Sequence, residues 1–376
     1  MGKPKAAIVS VINDLATDQR VERSCSLLHE MGFDVMLIGR KMRKSPPLPD
    51  RPYRMHRMCL ITERGPLFYL EYNIRLFFYI LFQKASLLVS NDLDTLLPNY
   101  IISRMRRIPL IYDSHEYFTG VPELEGRPVV RGIWKSIEKC IFPRLKYIIT
   151  VNGSIARLFD EEYGRMPTVV RNIPRRRSHQ AGRKDGNENL PSDKALIIMQ
   201  GSGINMDRGA EEAVLAMQYV DNVLLLIIGG GDVIHILKEM VVENQLGEKV
   251  RFLPRMPYEE LMRYTEAADI GLSLDKGSSI NYRLSLPNKL FDYIQAGTAV
   301  LCSDLPEVAG IVKSYDIGCV MEGHDPLTIA HAIQAMLSDT EKMEIWKENL
   351  NIASRELCWE NEKEVLRAIY AAACKS

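Results

Sequence analysis

The sequence predicts an α/β protein made of two doubly wound, Rossmann-like domains, each with a parallel sheet. Short apolar runs alternate with helical patterns, which is the rhythm of βαβ units. This rhythm is interrupted at residues 173–193, where the chain is polar and rich in Gly, Pro and charge. A second series of strands and helices of similar length follows, so we interpret residues 173–193 as a linker.

The first series forms a predicted N-terminal domain over residues 1–172. Its strands are expected at 6–12, 34–40, 87–91, 110–116 and 147–152. The helical patterns between them lie at 20–32, at 66–84, in the stretch up to Arg107, and from about Val130 to Phe142.

The second series forms a predicted C-terminal domain over residues 194–359. Its strands are expected at 195–201, 223–231, 250–254, 270–274 and 299–303. The helices are expected at 209–220, 232–246, 258–268 and 288–296, followed by a helical tail. Ligands of such sheets bind at the carboxyl ends of the strands, and two such units would face a cleft.

Composition is that of an ordinary globular chain of 376 residues, with 48 Lys and Arg against 48 Asp and Glu. The net charge is zero, but the basic and acidic residues are unevenly distributed along the chain. Residues 1–190 contain 31 basic and 20 acidic side chains, and the remainder contains 17 and 28. Halves of opposite sign indicate two domains with different partners.

Several classes of protein are excluded by what the sequence lacks. The seven cysteines are scattered without a CxxC pair, so we expect no disulfide scaffold, no zinc site and a cytoplasmic location. The N-terminal residues lack the pattern of a signal peptide. No apolar run reaches the ~18 residues that span a membrane.

The segment LPNKLFDYIQAGTAV, residues 286–300, is the sharpest local motif. Pro287 precedes a helix that should begin near Asn288. Free N–H groups and the helix dipole at that point can hold a phosphate, and Lys289 adds a full charge. Asp292, one turn later, can accept a hydrogen bond from a ribose hydroxyl. The alternative is a well-capped helix with a surface lysine.

Two glycine-rich turns follow predicted strands. The first, QGSGINMDRG at 200–209, brings Gly201 and Gly203 together with Arg208, a combination that suits a phosphate. The second contains Gly229 and Gly230 and can either pack or line a nucleotide. An ordinary βα turn is the alternative for both.

Candidate polar side chains also follow strands of the N-terminal domain. His115 stands after the strand at 110–116, where active sites gather. Asp92 and Asp94 follow the strand at 87–91 and form an Asp-x-Asp pair. N-capping of the next helix is the alternative for this pair, and metal binding is a weaker one.

The aromatic-rich segment 66–84 has two interpretations. It can lie in a membrane interface, helped by the basic segments 41–44 and 104–107. A helix that is apolar on nearly all sides is more often buried in a core.

The ordered set of segments resembles the family 4 retaining glycosyltransferases, whose GT-B fold has two facing Rossmann-like domains. The segments that carry this resemblance over nearly the whole chain are VINDLATDQRVERSCSLLHEMGFDVMLIGR, YDSHEYF, ITVNGSIARLF, VVRNIP, IIGGGD, VRFLP, ADIGLSL, LPNKLFDYIQAGTAV and LCWENEKEVLRAIY. The last of these is similar to a family helix that returns to the first domain, here at about 360–376.

The resemblance implies roles for individual residues. Arg208 matches a basic residue that holds the donor's diphosphate, and His115 matches a histidine that contacts the donor sugar. Asp292 falls on the second of two family glutamates, the ribose ligand, whereas Leu284 stands where the first would be. The segment from Pro287 to Lys289 resembles a Pro-Asn-Lys variant found in part of the family.

The resemblance therefore implies a retaining glycosyltransferase, in which the fixed cations would take the place of a metal or other cofactor. The donor would be a nucleotide sugar and the acceptor a sugar or a lipid-linked hydroxyl, as in surface polysaccharide or glycolipid assembly. We expect His115, Arg208 and Lys289 to act in catalysis, Asp92 or Asp94 to contact the acceptor, and no nucleic acid to bind. A peripheral site on an anionic membrane surface is a further expectation. A nucleotide-sugar 2-epimerase of the same fold and a catalytically silent scaffold subunit are the alternatives.

Overall fold

A computed structural model of the chain describes residues 5–16, 18–63, 65–121, 124, 126–177, 190–191 and 193–375. Most of the predicted linker, residues 178–189 and 192, lies outside the described residues. The chain divides into two compact units, which we call unit 1 (Met1–Asn172 and Glu362–Ser376) and unit 2 (Ile173–Asn361).

In its described residues, unit 1 is a seven-stranded sheet with helices on both faces. In chain order its elements are β1 (Ala6–Ser10), α1 (Gln19–Glu30), β2 (Asp34–Lys41), β3 (Arg54–Cys59), α2 (Pro66–Phe82), β4 (Leu87–Asn91), α3 (Leu93–Arg106), β5 (Leu110–Ser114), α4 (Pro128–Ile141), β6 (Tyr147–Thr150), α5 (Gly153–Tyr163) and β7 (Thr168–Val169).

Unit 2, as far as the structure describes it, repeats this plan around six strands. Its elements are β8 (Ala195–Gly201), α6 (Ala210–Ala216), β9 (Val223–Gly229), α7 (Ile234–Glu243), β10 (Val250–Leu253), α8 (Tyr258–Ala267), β11 (Ile270–Ser273), α9 (Ile280–Arg283), α10 (Asn288–Ala296), β12 (Ala299–Ser303), α11 (Pro306–Tyr315), β13 (Gly318–Met321), α12 (Pro326–Ser338) and α13 (Thr340–Glu356). The last helix, α14 (Trp359–Ala373), falls mostly within unit 1.

The strand orders make both sheets doubly wound. The order is β3-β2-β1-β4-β5-β6-β7 in unit 1 and β10-β9-β8-β11-β12-β13 in unit 2. All the paired strands are parallel. The direction of winding reverses between β1 and β4, and again between β8 and β11. Loops diverge at such switch points and leave room for a ligand beyond the carboxyl ends of the strands.

Alternating side chains explain why helices cover both faces of the sheet in unit 2. Ile197 and Met199 of β8 belong to one buried apolar cluster, whereas Leu196 and Ile198 belong to the other. Successive side chains of a strand point to opposite faces, so β8 reads as a continuous apolar run only because both faces are buried.

Helix α2 differs from the expectation that the segment 66–84 is simply core. Phe68, Tyr72, Leu76 and Ile80 form a buried face. The opposite face leaves large apolar side chains in solvent, and Phe82 is 79% exposed. The core prediction is therefore right for one face of α2 only. Among the described helices, none is both long enough and apolar enough to cross a lipid bilayer.

Candidate functional site

The switch point of unit 2 is built by the loops that follow β8 and β11. These loops lie against each other, because the Lys276 N–H donates to the Asp207 carbonyl oxygen at 2.8 Å. Gly209 has a φ of +73°, and a Cβ there would lie 2.3 Å from the Leu274 carbonyl oxygen. Glycine is required at this position for both reasons. The contact fixes Arg208 beside the end of β11.

Arg208 and Lys289 meet on one carboxylate. Asp275, which follows β11, is 1% exposed. Arg208 Nη1 donates to Asp275 Oδ1 at 2.8 Å, and Lys289 Nζ lies 3.2 Å from Asp275 Oδ2. The structure thus brings two of the three predicted catalytic residues together at the switch point, although Arg208 lies in the loop after β8 and Lys289 in the first turn of α10. Asp275 was not predicted.

The two cations control the ionisation of this carboxylate. Burial by itself would raise the pKa of Asp275, but the charges of Lys289 and Arg208 outweigh it and hold the pKa below its usual value. Arg208 also packs on an aromatic ring, with Cζ 4.1 Å from the centre of the Tyr282 ring. The guanidinium is therefore held by charge on one side and by a cation–π contact on another.

The glycines of the two turns differ in what they do for the structure. A Cβ on Gly229 would lie 1.9 Å from the Gly201 carbonyl oxygen, so Gly229 is needed for the close approach of β8 and β9. A Cβ on Gly230 would lie 3.0 Å from Arg255 Nε. In contrast, the nearest atoms to a Cβ on Gly201 or Gly203 would be 3.6 Å away or more. Packing does not explain these two glycines, whose lack of a side chain keeps the turn after β8 open.

The start of α10 presents its first N–H groups without a side-chain cap, as the sequence predicted. Asn288 is exposed at this end. Asp292 already has partners within the unit: Gln200 Nε2 donates to Oδ2 at 3.1 Å and the Tyr258 hydroxyl donates to Oδ1 at 2.9 Å. Each carboxylate oxygen can accept more than one hydrogen bond, so a ribose hydroxyl remains chemically compatible with Asp292.

His115 lies between two carboxylates at the carboxyl edge of the sheet in unit 1. Its Nδ1 is 3.3 Å from Asp92 Oδ2 and its Nε2 is 3.5 Å from Asp113 Oδ2. Burial acts to lower the pKa of His115, but Asp92 and Asp113 raise it to about 9. Nε2 is buried without a hydrogen-bond partner in the described part of the chain, so its approach to Asp113 is an ion-pair contact.

Arg20 completes this cluster and was missed by the sequence analysis. It donates to both Asp113 oxygens, at 3.2 Å from Nε and 2.6 Å from Nη2, and its Nη1 donates to the Val170 carbonyl oxygen at 2.8 Å. Arg20 is buried although it belongs to α1. An arginine on the apolar face of an amphipathic helix is a signal that could have identified it, since buried arginines require a partner.

The side chains of Asp92 and Asp94 have different surroundings in the structure. Asp92 does not cap α3 through its side chain, so the N-capping interpretation is wrong for it; its Oδ1 accepts from the His115 backbone N–H at 2.8 Å. Asp94 is only 4% exposed, and burial, the largest effect, helps to raise its pKa well above the usual range. Asp92 therefore remains the better candidate for contact with an acceptor. Within the described ranges, no three His, Cys, Asp or Glu side chains are grouped so as to hold a metal ion.

Comparison with known proteins gives a family match for most of unit 2. Residues 182–351 match the model of the family described as glycosyl transferases group 1. A D-inositol 3-phosphate glycosyltransferase of Xylanimonas cellulosilytica is 25% identical over 198 residues, which are 50% of this chain and 44% of that protein. The chain spans less than half the length of the curated relatives it matches.

Solved structures match the chain over nearly its whole length. Sucrose-phosphate synthase from Thermosynechococcus elongatus has a TM-score of 0.78 at 18% identity, covering 98% of this chain and 100% of that one. Anabaena HepE in complex with UDP-glucose has a TM-score of 0.71 at 13% identity, covering 98% and 99%. The chain therefore has the fold of GT-B glycosyltransferases, and residues 182–351 are the part of it that matches the model of the glycosyl transferases group 1 family.

Proposed function

We propose that the protein is a retaining glycosyltransferase of family 4 type, which moves a sugar from a nucleoside-diphosphate sugar to a hydroxyl acceptor. The observation that carries the proposal is the meeting of Arg208 and Lys289 on Asp275, at the switch point of unit 2. Two cations beside an open glycine turn and an uncapped helix start suit a diphosphate. HepE, which shares the fold, has been captured with UDP-glucose, and this supports a nucleotide sugar as the donor.

The hard step of the reaction is departure of the leaving group, because negative charge builds on the diphosphate as the glycosidic bond breaks. In our proposal Arg208, Lys289 and the N–H groups at Asn288 stabilise that charge without a metal ion. The acceptor hydroxyl attacks from the same face, and its proton passes to the leaving phosphate oxygen. This route retains the configuration at the anomeric carbon and requires no carboxylate nucleophile.

We assign the acceptor to unit 1. Asp92 is the candidate for a hydrogen bond to the acceptor, since its side chain reaches the carboxyl edge of the sheet and remains partly exposed. His115, held by Asp92 and Asp113, would orient the sugar being transferred. The related D-inositol 3-phosphate glycosyltransferase acts on a polar acceptor by its name, and we infer a sugar or a lipid-linked sugar here, as in polysaccharide or glycolipid assembly.

A panel of UDP-, GDP-, dTDP- and ADP-sugars tests the proposal, first by thermal shift and then by product formation with candidate acceptors. We expect one nucleotide class to raise Tm, the product to keep the donor's anomeric configuration by NMR, and turnover to survive EDTA. Loss of turnover with EDTA and its rescue by Mg²⁺ or Mn²⁺ would contradict the metal-independent mechanism. Conversion of the donor without any acceptor would identify an epimerase, and binding of no donor at all would favour a scaffold subunit.

We further propose that unit 1 attaches to an anionic membrane surface from the cytoplasmic side, through the exposed face of α2. This face carries Leu67, Leu70, Ile74, Phe78 and Phe82. The end of α3 adds positive charge next to it: Arg106 Nη1 donates to the Gln83 carbonyl oxygen at 2.7 Å, and Arg104 and Arg107 beside it are exposed. Apolar side chains flanked by basic ones are typical of helices that bind a lipid interface.

Vesicle co-sedimentation checks this attachment. Vesicles with anionic lipid should pellet the protein at low salt, and salt should weaken binding because exposed charges are screened within ~8–10 Å. Phe78→Ser with Phe82→Ser should abolish pelleting, since both side chains are exposed on α2. Val242→Ser with Ile352→Ser is the matched control, because these equally exposed apolar residues lie in unit 2. Equal recovery in the supernatant with neutral and anionic vesicles would rule out the attachment.

A further inference from the structure

The position of Asp275 is unusual for a site that binds an anion. A negative side chain lies between the two cations that would hold the diphosphate, and it is almost completely buried. A carboxylate in this place repels a phosphate. The charge of the ligand therefore does not explain why Asp275 stands at this position.

The carboxylate does not use up the hydrogen-bonding capacity of the cations. Arg208 Nη1 is bonded to Asp275, but Arg208 Nε is buried without a hydrogen-bond partner in the part of the chain that the structure describes. A guanidinium has five N–H donors and an ammonium has three. Both cations thus keep donors for phosphate oxygens while they stay in contact with Asp275.

Asp275 also lowers the net charge of the cluster from +2 to +1. Electrostatic attraction to a diphosphate is strong at a partly desolvated site, and it acts on the bound donor and on the released nucleoside diphosphate alike. Attraction that is equal in both states does not accelerate the reaction, and it slows the departure of the product. A buried counter-charge reduces this attraction while it keeps both cations in place.

We propose that Asp275 is a positioning residue that aligns Arg208 and Lys289 and limits the affinity of the site for the nucleoside diphosphate product. This proposal rests on the function proposed above, since it takes the diphosphate site as given. The pKa of Asp275, held below its usual value by both cations despite burial, supports a carboxylate that is charged at neutral pH.

The test compares the wild type with Asp275→Asn, which keeps an oxygen for Arg208 but removes the charge. Isothermal titration with inorganic pyrophosphate and with the nucleoside diphosphate of the preferred donor gives the Kd values. We expect Asp275→Asn to bind both about tenfold more tightly, with a steeper dependence on salt, and to have a lower kcat because product leaves slowly. Glu212→Gln is the matched control. It removes the carboxylate that pairs with Lys276 rather than with Arg208 or Lys289, and should change Kd less than twofold.

The binding and folding of the Asp275→Asn variant decide whether Asp275 limits the affinity for the diphosphate. Unchanged or weaker binding by a folded Asp275→Asn variant overturns the proposal, whereas failure of the wild type to bind either ligand overturns the donor site itself. If the variant melts at a lower temperature, the increase in Tm given by pyrophosphate replaces Kd as the readout and should exceed that of the wild type. A variant that does not fold even with pyrophosphate also overturns the proposal, since the carboxylate would then serve the fold.

Discussion

Replacing Lys289 by alanine should lower kcat by roughly 10²–10³-fold, and replacing Arg208 by alanine should do the same. Both side chains contact the same buried carboxylate at the switch point of unit 2. Loss of one fixed donor to a developing negative charge typically costs about 3–4 kcal/mol of transition-state stabilisation. Steady-state kinetics with the preferred donor give kcat, and circular dichroism shows whether the fold persists.

Lys276→Ala is the control for this prediction. Lys276 directly follows Asp275, but its Nζ pairs with Glu212 Oε1 at 2.6 Å instead. Its removal changes the charge of unit 2 as much as the loss of Lys289 does. Because Lys276 does not pair with Asp275, we expect its removal to leave kcat within about twofold. Near-normal turnover of both Lys289→Ala and Arg208→Ala would show that the diphosphate is held elsewhere.

Replacing Arg20 by methionine should destabilise unit 1 by about 3–5 kcal/mol, the usual cost of leaving a buried charge without its partner. The Arg20 and Asp113 side chains are 8% and 3% exposed and share two hydrogen bonds. Urea unfolding followed by circular dichroism measures the change. Adding Asp113→Leu to Arg20→Met should recover much of the lost stability, because the buried carboxylate that has lost its two hydrogen bonds from Arg20 is then gone as well.

Arg54→Met provides the comparison for the buried pair. Arg54 and Asp34 form a similar two-point contact, but their side chains are 59% and 45% exposed. Exposed pairs contribute about 0–1 kcal/mol, so this variant should unfold almost like the wild type. If Arg20→Met costs no more than Arg54→Met, the cluster around Asp113 does not hold unit 1 together.

The sequence predicts the central strands well because they are buried on both faces and read as apolar runs. β1, β4, β8 and β12 all lie where the pattern indicates. The pattern misses β3 and β13, which are edge strands. β3 has the sequence RMHRMC and is only partly buried, and an edge strand needs an apolar side chain only where it touches the sheet. Periodicity is a weak guide to edge strands, since it finds the edge strand β10 at 250–254 but also misses β7.

Local sequence predicts some residues of the candidate sites and misses others. Arg208, Lys289 and His115 stand directly after strands or at a helix start, and local sequence is enough to suggest them. Asp275 and Arg20 become relevant only through partners far along the chain, Arg208 and Asp113. Which charged residues meet depends on the order of strands in the sheet, and the spacing of residues in one segment does not contain that order.

The carboxylates around His115 have a consequence for the way unit 1 folds. In an unfolded chain the histidine has its ordinary pKa of about 6.5, whereas Asp92 and Asp113 raise the pKa of His115 in the folded unit to about 9. Between these two pH values folding takes up a proton, so the stabilisation that this histidine provides is complete below about pH 6.5 and is lost as the pH rises toward 9. Unit 1 therefore takes up a proton when it folds and releases one when it unfolds. In the folded unit the His115 imidazole is protonated at neutral pH.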